Sequence, residues 1–542
     1  MQLNKLLVKS ERWNKISSNR FLLSLIGCTL FFAFFACILP IRYEENDDIV
    51  MLLFASGKYS GTPEPHLIFI NYIYGVFLNF LYSRQPGIEW YSVLFAIIHI
   101  ISLSVISWKI VCNEKIKWVY KLLFLGLFAT IEIRCILYFQ FTTTAALSSL
   151  AGIILMYYRK SFQRTLGVVL FLVACFIRFE AAFLVLLVIS PVFLHHIIAN
   201  NRIRFAKPLT FLMVAIILSV LFEYVDYRSY QVDANWKYYH QYNKLLGQIN
   251  DNPNAGKIMN NLPAAISSSD YSLLLFFFPD TRVMNLNVVK LLNKELKQVE
   301  FKRKLANVYP ALRAYTYYFI LLFICSGAIF LRCDSKMKKW VLVFTLFAFF
   351  AALIYVSLNG SPKYRVFFSA LLPVLFVMYI SLEDENSSIV NKILPLGLSA
   401  FILLISKQNY GLRNLKIYAR QTEFVQQTKL LDQYLSNKNN SVIPFANDLT
   451  MQLYSPFSVS KSFDAKKIYF SGWVTNIPLN KTRLESHLDL INRHAIFFSK
   501  MNYSNVLPVI KENILVNYGI ATKPKIELES KNYVIVKLVA EN

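Results

Sequence analysis

Four acidic side chains stand together in the segment RYEENDD (42–48), directly after an apolar run at 21–41. They are Glu44, Glu45, Asp47 and Asp48, in a chain with 57 Lys+Arg against 32 Asp+Glu. A carboxylate beside a substrate hydroxyl can take its proton as a general base. We therefore predict that Asp48, or failing it Asp47, is a catalytic base, and that Glu44 and Glu45 hold the loop or share a metal.

Two structural alternatives remain for the same acids. The helix-like run IVMLLFASGKY follows Asp48, and acids are favoured at a helix N-terminus, so one aspartate could be a cap. A divalent cation is the other alternative, with Asp47 and Asp48 as the candidate ligands for Mg²⁺ or Mn²⁺.

Cations occur at several places where the chain leaves an apolar segment. Lys363 and Arg365 lie in SPKYR (361–365), and Arg178 lies beside Glu180 in IRFE. Arginine offers a two-pronged donor to a phosphate and lysine offers a point charge. We predict that these three cations bind a donor phosphate, with His66 and Glu180 as further substrate or loop residues. Binding of lipid headgroups is the alternative for SPKYR, and a structural ion pair is the alternative for Arg178 and Glu180.

The elements that must position these residues are membrane helices. The chain is 56% hydrophobic and only 16% charged, whereas soluble proteins carry about a quarter charged residues. Apolar runs long enough to cross a bilayer recur along it. With basic loops placed inside, the sequence predicts eleven spans with the N-terminus cytoplasmic and the C-terminus outside: 21–41, 91–111, 119–139, 141–158, 166–178, 181–199, 208–224, 311–331, 340–358, 366–382 and 393–406.

The segment HLIFINYIYGVFLNFLY (66–82) is apolar, but counting it as a span would put the lysines of 113–121 outside. We predict an amphipathic helix at the outer interface, with a full span as the alternative. The domains expected are a transmembrane domain, 1–406, with outer loops 42–90 and 225–310, and a periplasmic C-terminal α/β domain, 407–542. In the latter, KKIYFSGWV and NYVIVKLVA are predicted strands.

The net charge of +25 is spread between apolar segments, which favours anionic membrane lipid over nucleic acid as its partner. An acid cluster, a histidine and cations on one membrane face suit sugar transfer from a lipid phosphate, with a carboxylate as base and cations on the leaving phosphate.

The order of parts resembles the GT-C superfamily of polyprenyl-phosphate-dependent glycosyltransferases. NDD (46–48) sits where that family keeps its catalytic acid, and PEPHLIFINYIYG (63–75) resembles the entry to its juxtamembrane helix. QFTTTAALSSLAG (140–152) and IRFE (177–180) are similar to segments of bacterial members. Neither a WWDYG-type motif nor a DE pair in the first loop is present.

The resemblance implies an inverting hexosyltransferase of the bacterial inner membrane, of the serotype-converting type that modifies surface polysaccharide. It implies an undecaprenyl-phosphate sugar as donor, a lipid-linked or surface glycan such as O-antigen as acceptor and, in many members, a divalent metal. Two alternatives share the lipid-linked substrate, namely an O-antigen polymerase and a lipid-linked glycan flippase. A flippase is expected to carry cations through its whole depth, whereas this chain concentrates its polar groups at one face.

Overall fold

The structure is a computed structural model. It describes residues 2–157, 160–198, 202–250, 252, 262, 266–275, 285–297, 301–333, 335–360, 362–382, 390–437, 439–445, 448–451, 454–458, 465–481 and 494–541.

Most of the described chain is helical. The helices, in chain order, are α1 (Gln2–Ile38), α2 (Asn46–Ala55), α3 (Tyr72–Arg84), α4 (Trp90–Cys112), α5 (Trp118–Leu137), α6 (Phe141–Met156), α7 (Ser161–Ile198), α8 (Arg202–Val232), α9 (Ala234–Asn250), α10 (Ser268–Leu275), α11 (Leu286–Lys297), α12 (Phe301–Arg313), α13 (Thr316–Arg332), α14 (Lys336–Asn359), α15 (Tyr364–Ile380), α16 (Val390–Leu435), α17 (Pro478–Lys481) and α18 (Lys500–Tyr518). The strands are β1 (Arg42–Tyr43), β2 (Tyr138–Phe139), β3 (Val442–Pro444), β4 (Ala495–Ser499), β5 (Thr522–Glu529) and β6 (Tyr533–Ala540).

Several helices have the length and apolarity that a membrane crossing requires. Among the described residues there are five, or up to six if the bent pair α12 and α13 forms one broken span. The chain is therefore a multi-pass membrane protein. The total of eleven spans stays a prediction, because α6 and α15 are apolar but shorter than 18 residues.

Helix α7 contains a reversal of the chain at Arg178, whose backbone is extended (φ −158°, ψ 99°). Before it, α7 runs antiparallel to α6, since Ser148 Oγ donates to the carbonyl of Leu170 (2.8 Å) and Gly152 packs against Gly167. After it, α7 runs parallel to α6, since Ser149 Oγ donates to the carbonyl of Ala182 (3.0 Å) and the Tyr157 ring, directly after α6, packs on Phe193 (6.3 Å). The predicted segments 166–178 and 181–199 are thus two arms of a helical hairpin.

Helix α3 covers only 13 residues of the segment predicted at the interface. A helix of that length spans about 20 Å at 1.5 Å per residue, which is less than the roughly 30 Å of hydrocarbon in a bilayer. It is not among the described helices with the length and apolarity of a crossing. Its length supports the interfacial interpretation of 66–82 over the span.

The C-terminal region has the predicted α/β composition, with a sheet in the order β3-β4-β6-β5 and α18 beside it. Strand β6 covers the predicted NYVIVKLVA except its first residue, Asn532, and pairs antiparallel with both β4 and β5. The predicted domain boundary at 406/407 falls inside the continuous helix α16. The C-terminal domain is therefore joined to the bundle through a helix and not through a loop.

The prediction of a strand over KKIYFSGWV is wrong. Its residues form two single turns of 3₁₀ helix, Ala465–Lys467 and Gly472–Val474, and only Ile468 makes a bridge, to Val442 at the edge of β3. Gly472 has a φ of +94°, a conformation that side chains disfavour. This glycine turns the chain out of the extended conformation directly before Trp473.

Candidate functional site

The acidic segment is held at the end of the bundle by a short parallel pair of strands. Arg42 of β1 pairs with Tyr138 of β2, and Tyr43 pairs with Phe139. The backbone N–H of Glu44 also donates to the carbonyl of Phe139 (3.2 Å). The pairing fixes the start of α2, whose first turn contains both aspartates. The acids are thus placed between the end of α1 and the start of α6.

Asp48 is fully buried. Its Oδ1 accepts hydrogen bonds from the Tyr91 hydroxyl (2.9 Å) and from the backbone N–H of Phe141 at the start of α6 (3.3 Å). Burial raises the pKa of this carboxyl well above its usual range, although the Tyr91 hydrogen bond opposes the rise. Asp48 therefore joins the start of α2 to the start of α6. The structural alternative given above is a cap of its own helix, α2, whose N-cap residue is Glu45. The prediction that Asp48 is the base is not tested by these contacts.

Asp47 is half-buried and faces a cavity of about 100 Å³. Its Oδ1 accepts a hydrogen bond from the indole Nε1 of Trp473 (2.9 Å). The cavity is lined on one side by Asn46, Asp47 and Val50, and on the other by residues between 444 and 474. Asp47 is therefore the acid of the pair that a ligand in this cavity can reach.

The surroundings of Asp47 shift the pKa of its carboxyl. Burial raises its pKa above the usual value, while the charge of Arg365 and the hydrogen bond from Trp473 oppose the rise. A carboxyl with a raised pKa is a better proton acceptor near neutral pH than an ordinary one.

Both predicted phosphate-binding residues of SPKYR converge on Glu45. Arg365 Nη1 lies 3.2 Å from Glu45 Oε1, and Lys363 Nζ lies 3.4 Å from the same oxygen. The Arg365 side chain is only 13% exposed, whereas that of Lys363 is 52% exposed. Two cations that share one anionic oxygen form an anion-binding arrangement. Ser361 of SPKYR lies outside the described residues.

Glu44 belongs to the same electrostatic group. Burial raises the pKa of its carboxyl, and the charges of Arg365 and Arg134 oppose this. Arg134 is buried in α5, with its guanidinium over the rings of Tyr364 (4.8 Å) and Phe368 (5.2 Å). Arg134 therefore adds a third cation to this end of the bundle.

Arg178 does not join the Glu45 cluster. Its Nε lies 2.9 Å from Glu180 Oε2, and the Glu180 side chain is exposed. The guanidinium lies over the rings of Phe69 (5.7 Å) and Phe141 (5.5 Å). This ion pair is the structural alternative given above for Arg178 and Glu180, and the predicted phosphate contact of Arg178 stays untested.

His66 lies in an aromatic cluster. Its ring stacks on Trp236 (4.4 Å) and contacts Tyr230 and Tyr72, and its Nδ1 is 2.6 Å from Glu64 Oε1. Tyr239 continues this cluster toward the cavity, since its hydroxyl donates to the carbonyl of Trp473 (3.0 Å). The contacts of His66 thus support a role in shaping the wall of the site.

The candidate ligands for a divalent cation are Asp47 and Asp48. Within the described ranges, no group of three or more His, Cys, Asp and Glu side chains could hold one. Asp47 and Asp48 are neighbours in sequence, but Oδ1 of each is bound to a different donor, Trp473 and Tyr91. A divalent cation on this pair stays a prediction, and no step below is assigned to a metal.

Sequence reasoning missed Trp473 and Tyr91. Trp473 lies in a segment predicted as a strand, with no signal that linked it to a loop 426 residues away. Tyr91 is the first residue of the predicted span 91–111. Aromatic side chains are common at membrane interfaces, so its residue type alone did not indicate a role in the site. A tyrosine at a helix end beside an acidic loop is the one signal that could have identified it.

Comparisons with known proteins give one match. The chain matches no protein-family profile and no curated protein. Among solved structures it is similar to the crystal structure of ArnT from Cupriavidus metallidurans bound to undecaprenyl phosphate, with 12% sequence identity and a TM-score of 0.37 over 95% of this chain and 97% of that one.

Proposed function

We propose that the chain is an inverting glycosyltransferase of the GT-C type, which moves a sugar from a polyprenyl-phosphate donor to an acceptor hydroxyl. The observation that supports this proposal is the half-buried carboxylate of Asp47, which faces a cavity at the end of a membrane bundle. Two residues before it, at the N-cap of α2, Glu45 pairs with Arg365 and Lys363. A base and an anion-binding pair at one membrane face are what this transfer needs.

Asp47 is the proposed base, in preference to Asp48. An acceptor hydroxyl in the cavity gives its proton to the free oxygen of the Asp47 carboxylate. The acceptor oxygen then bonds to the anomeric carbon, the bond from that carbon to the phosphate oxygen breaks, and the electron pair leaves with the phosphate. Asp48 has no exposed surface, so it keeps α2 and α6 in register while Asp47 takes the proton.

Arg365 and Lys363 are the proposed phosphate-binding residues. Charge builds up on the phosphate as the sugar departs, and fixed cations stabilise that charge. Glu45 Oε1 lies between these two cations, where an oxygen of the donor phosphate would lie. The donor therefore displaces Glu45, and this carboxylate competes with substrate for the same two groups.

The C-terminal region is the proposed acceptor side. Its residues between 444 and 474 form the wall of the cavity opposite Asp47, and Trp473 offers an indole face, a surface on which sugar rings stack. The lipid tail of the donor must stay in the bilayer, so the donor approaches from the bundle side and the acceptor from the C-terminal side.

The finer assignment follows from the family resemblance. It gives an undecaprenyl-phosphate hexose as donor and a surface glycan such as O-antigen as acceptor. It also puts the reaction on the periplasmic side of the bacterial inner membrane, with the C-terminal domain outside.

The test is a reconstituted assay with the full chain in lipid vesicles and a polyprenyl-phosphate sugar. A glycosyltransferase releases free polyprenyl phosphate and adds one sugar per acceptor, and both are measured by mass spectrometry. Asp47→Asn should lose about a hundredfold or more in rate. Movement of the intact lipid across the vesicle membrane without release of polyprenyl phosphate would identify a flippase. Lengthened glycan chains would identify a polymerase.

A further inference from the structure

A second cavity lies at the end of the helical bundle remote from Asp47. It has a volume of about 180 Å³ and lies between α4, α6, α7, α14 and α15. Helix α4 runs from the acidic segment to this cavity, since Tyr91 at its start binds Asp48 and Lys109 near its end lines the cavity. Eighteen residues of helix correspond to roughly 27 Å, which is about the thickness of a hydrocarbon core.

The second cavity has basic groups in its lining and apolar walls. Lys109, His195 and Lys338 come from three different helices, and each is partly buried. Ser381 adds a hydroxyl. Most of the remaining described lining is aliphatic or phenylalanine side chains: Ile153, Ile154, Ile189, Val192, Phe193, Val341, Phe376 and Ile380. The chemistry suits a ligand that is anionic at one end and hydrocarbon at the other.

We propose that this cavity binds an anionic phospholipid from the membrane leaflet at this face, with the phosphate at Lys109, His195 and Lys338. Basic pockets between membrane helices bind anionic lipid headgroups in this way. A cavity of about this size takes a group as large as benzene, so it holds one segment of an acyl chain while the rest stays in the bilayer. A free phosphate would leave the apolar walls without a partner.

The site is separate from the proposed glycosyl transfer, but the same helices reach both. Helix α4 supplies Lys109 to the second cavity and Tyr91 to Asp48, and helix α6 supplies Ile154 to the cavity and the Phe141 N–H to Asp48. A lipid that bridges the far ends of these helices stabilises the bundle that carries Asp48. Bound lipid should therefore raise the melting temperature of the protein.

The experiment uses the full-length protein in a non-ionic detergent, with phosphatidylglycerol, phosphatidylcholine or inorganic phosphate added. Native mass spectrometry measures the lipid-bound fraction, and a thermal shift measures the melting temperature. Wild type should bind phosphatidylglycerol. The double variant Lys109→Gln/Lys338→Gln should bind it with an affinity at least about tenfold lower. Val192→Phe fills the apolar wall without a change in charge and should weaken binding as well.

The matched control is Lys115→Gln/Lys336→Gln. It removes the same charge from two exposed residues at this end of the bundle that do not line the cavity, and it should bind phosphatidylglycerol as wild type does. Equal binding by the control and the cavity variants would overturn the proposal. An equal thermal shift with inorganic phosphate would also overturn it, because the site would then not require a lipid. An equal thermal shift with phosphatidylcholine would do so as well, because the site would then not require an anionic headgroup.

Discussion

The indole Nε1 of Trp473 donates a 2.9 Å hydrogen bond to Oδ1 of Asp47, across 426 residues of sequence. It joins the C-terminal domain to the first turn of α2. Phe69 packs on the same indole at 4.9 Å, and Tyr239 binds the Trp473 carbonyl. The orientation of Asp47 therefore depends on a residue outside the membrane bundle, and the C-terminal domain is part of the candidate active site.

Trp473→Phe should shift the pH dependence of glycosyl transfer. The hydrogen bond from Trp473 lowers the pKa of Asp47, against the larger effect of burial, which raises it. Loss of the bond therefore raises the pKa further. A base is active when deprotonated, so activity is lost as pH falls through its pKa, and this loss should begin at a higher pH in the variant. The measurement is kcat/KM against pH, with a loss of about tenfold on the acid side.

The control for this variant is Trp340→Phe. Trp340 is exposed in α14 and stacks on Phe344, outside the lining of the Asp47 cavity. Its pH profile should match that of wild type. A Trp473→Phe profile that also matches wild type would remove Trp473 from the positioning of the base.

Asp47→Asn and Asp48→Asn should have different effects. Asn cannot accept a proton, so Asp47→Asn should lower kcat by about a hundredfold or more without a change in melting temperature. Asn at 48 keeps an oxygen for the Tyr91 and Phe141 donors, so activity should stay within about tenfold of wild type. Asp48→Ala leaves both donors unsatisfied and should destabilise the protein by about 1–3 kcal/mol. The reverse pattern would return the catalytic role to Asp48, as the sequence alone suggested.

Arg365→Ala should weaken use of the donor. Loss of one charge-assisted phosphate contact costs about 1.5–3 kcal/mol, or roughly tenfold to a hundredfold in donor KM. Arg365→Lys should restore little if the contact is two-pronged. Arg178→Ala is the comparison, because Arg178 pairs with Glu180 outside the Glu45 cluster, and its effect on donor KM should be smaller. An unchanged donor KM in Arg365→Ala would favour the lipid-headgroup interpretation of SPKYR.

Glu45→Gln should lower the donor KM. The carboxylate of Glu45 shares one oxygen with Lys363 and Arg365, and partly exposed ion pairs of this kind contribute about 0.2–1 kcal/mol each. Their removal frees both cations, so donor KM should fall about threefold. Glu45 is the N-cap residue of α2 but makes no side-chain capping bond, so the helix should be unaffected. A rise in donor KM would mean that Glu45 holds the cations in place for the donor.

The C-terminus should lie outside the cytoplasm. The basic loops at 113–121, 201–207 and 332–339 belong inside by the positive-inside rule, and the Asp47 cavity lies at the other end of the bundle. A periplasm-active reporter fused after Asn542 should be active, and a cytoplasm-only reporter should be silent. The opposite result would reverse the face on which the reaction is proposed.

The sequence by itself determined that this is a membrane protein, and it located most of its helices. Apolar runs and basic loops are local features, since each helix satisfies its own backbone hydrogen bonds in lipid and needs no distant partner. The acid cluster at 44–48 and the cations of SPKYR were found for the same reason, because scarce charges at span ends stand out in an apolar chain. The aspartates of NDD were recognised, but the order of preference between them was not settled by residue type.

Tertiary structure decided how these residues meet. Asp47 and Asp48 are adjacent residues of the same type, so the sequence around them does not distinguish them. Asp48 is buried because Tyr91 and the start of α6 pack against it. Asp47 stays accessible beside Trp473. The ion pairs of Glu45 with Arg365 and Lys363 likewise join segments more than 300 residues apart. Such contacts depend on which helices pack against each other. Hydrophobic periodicity does not specify these neighbours, because nearly every face of a membrane helix is apolar.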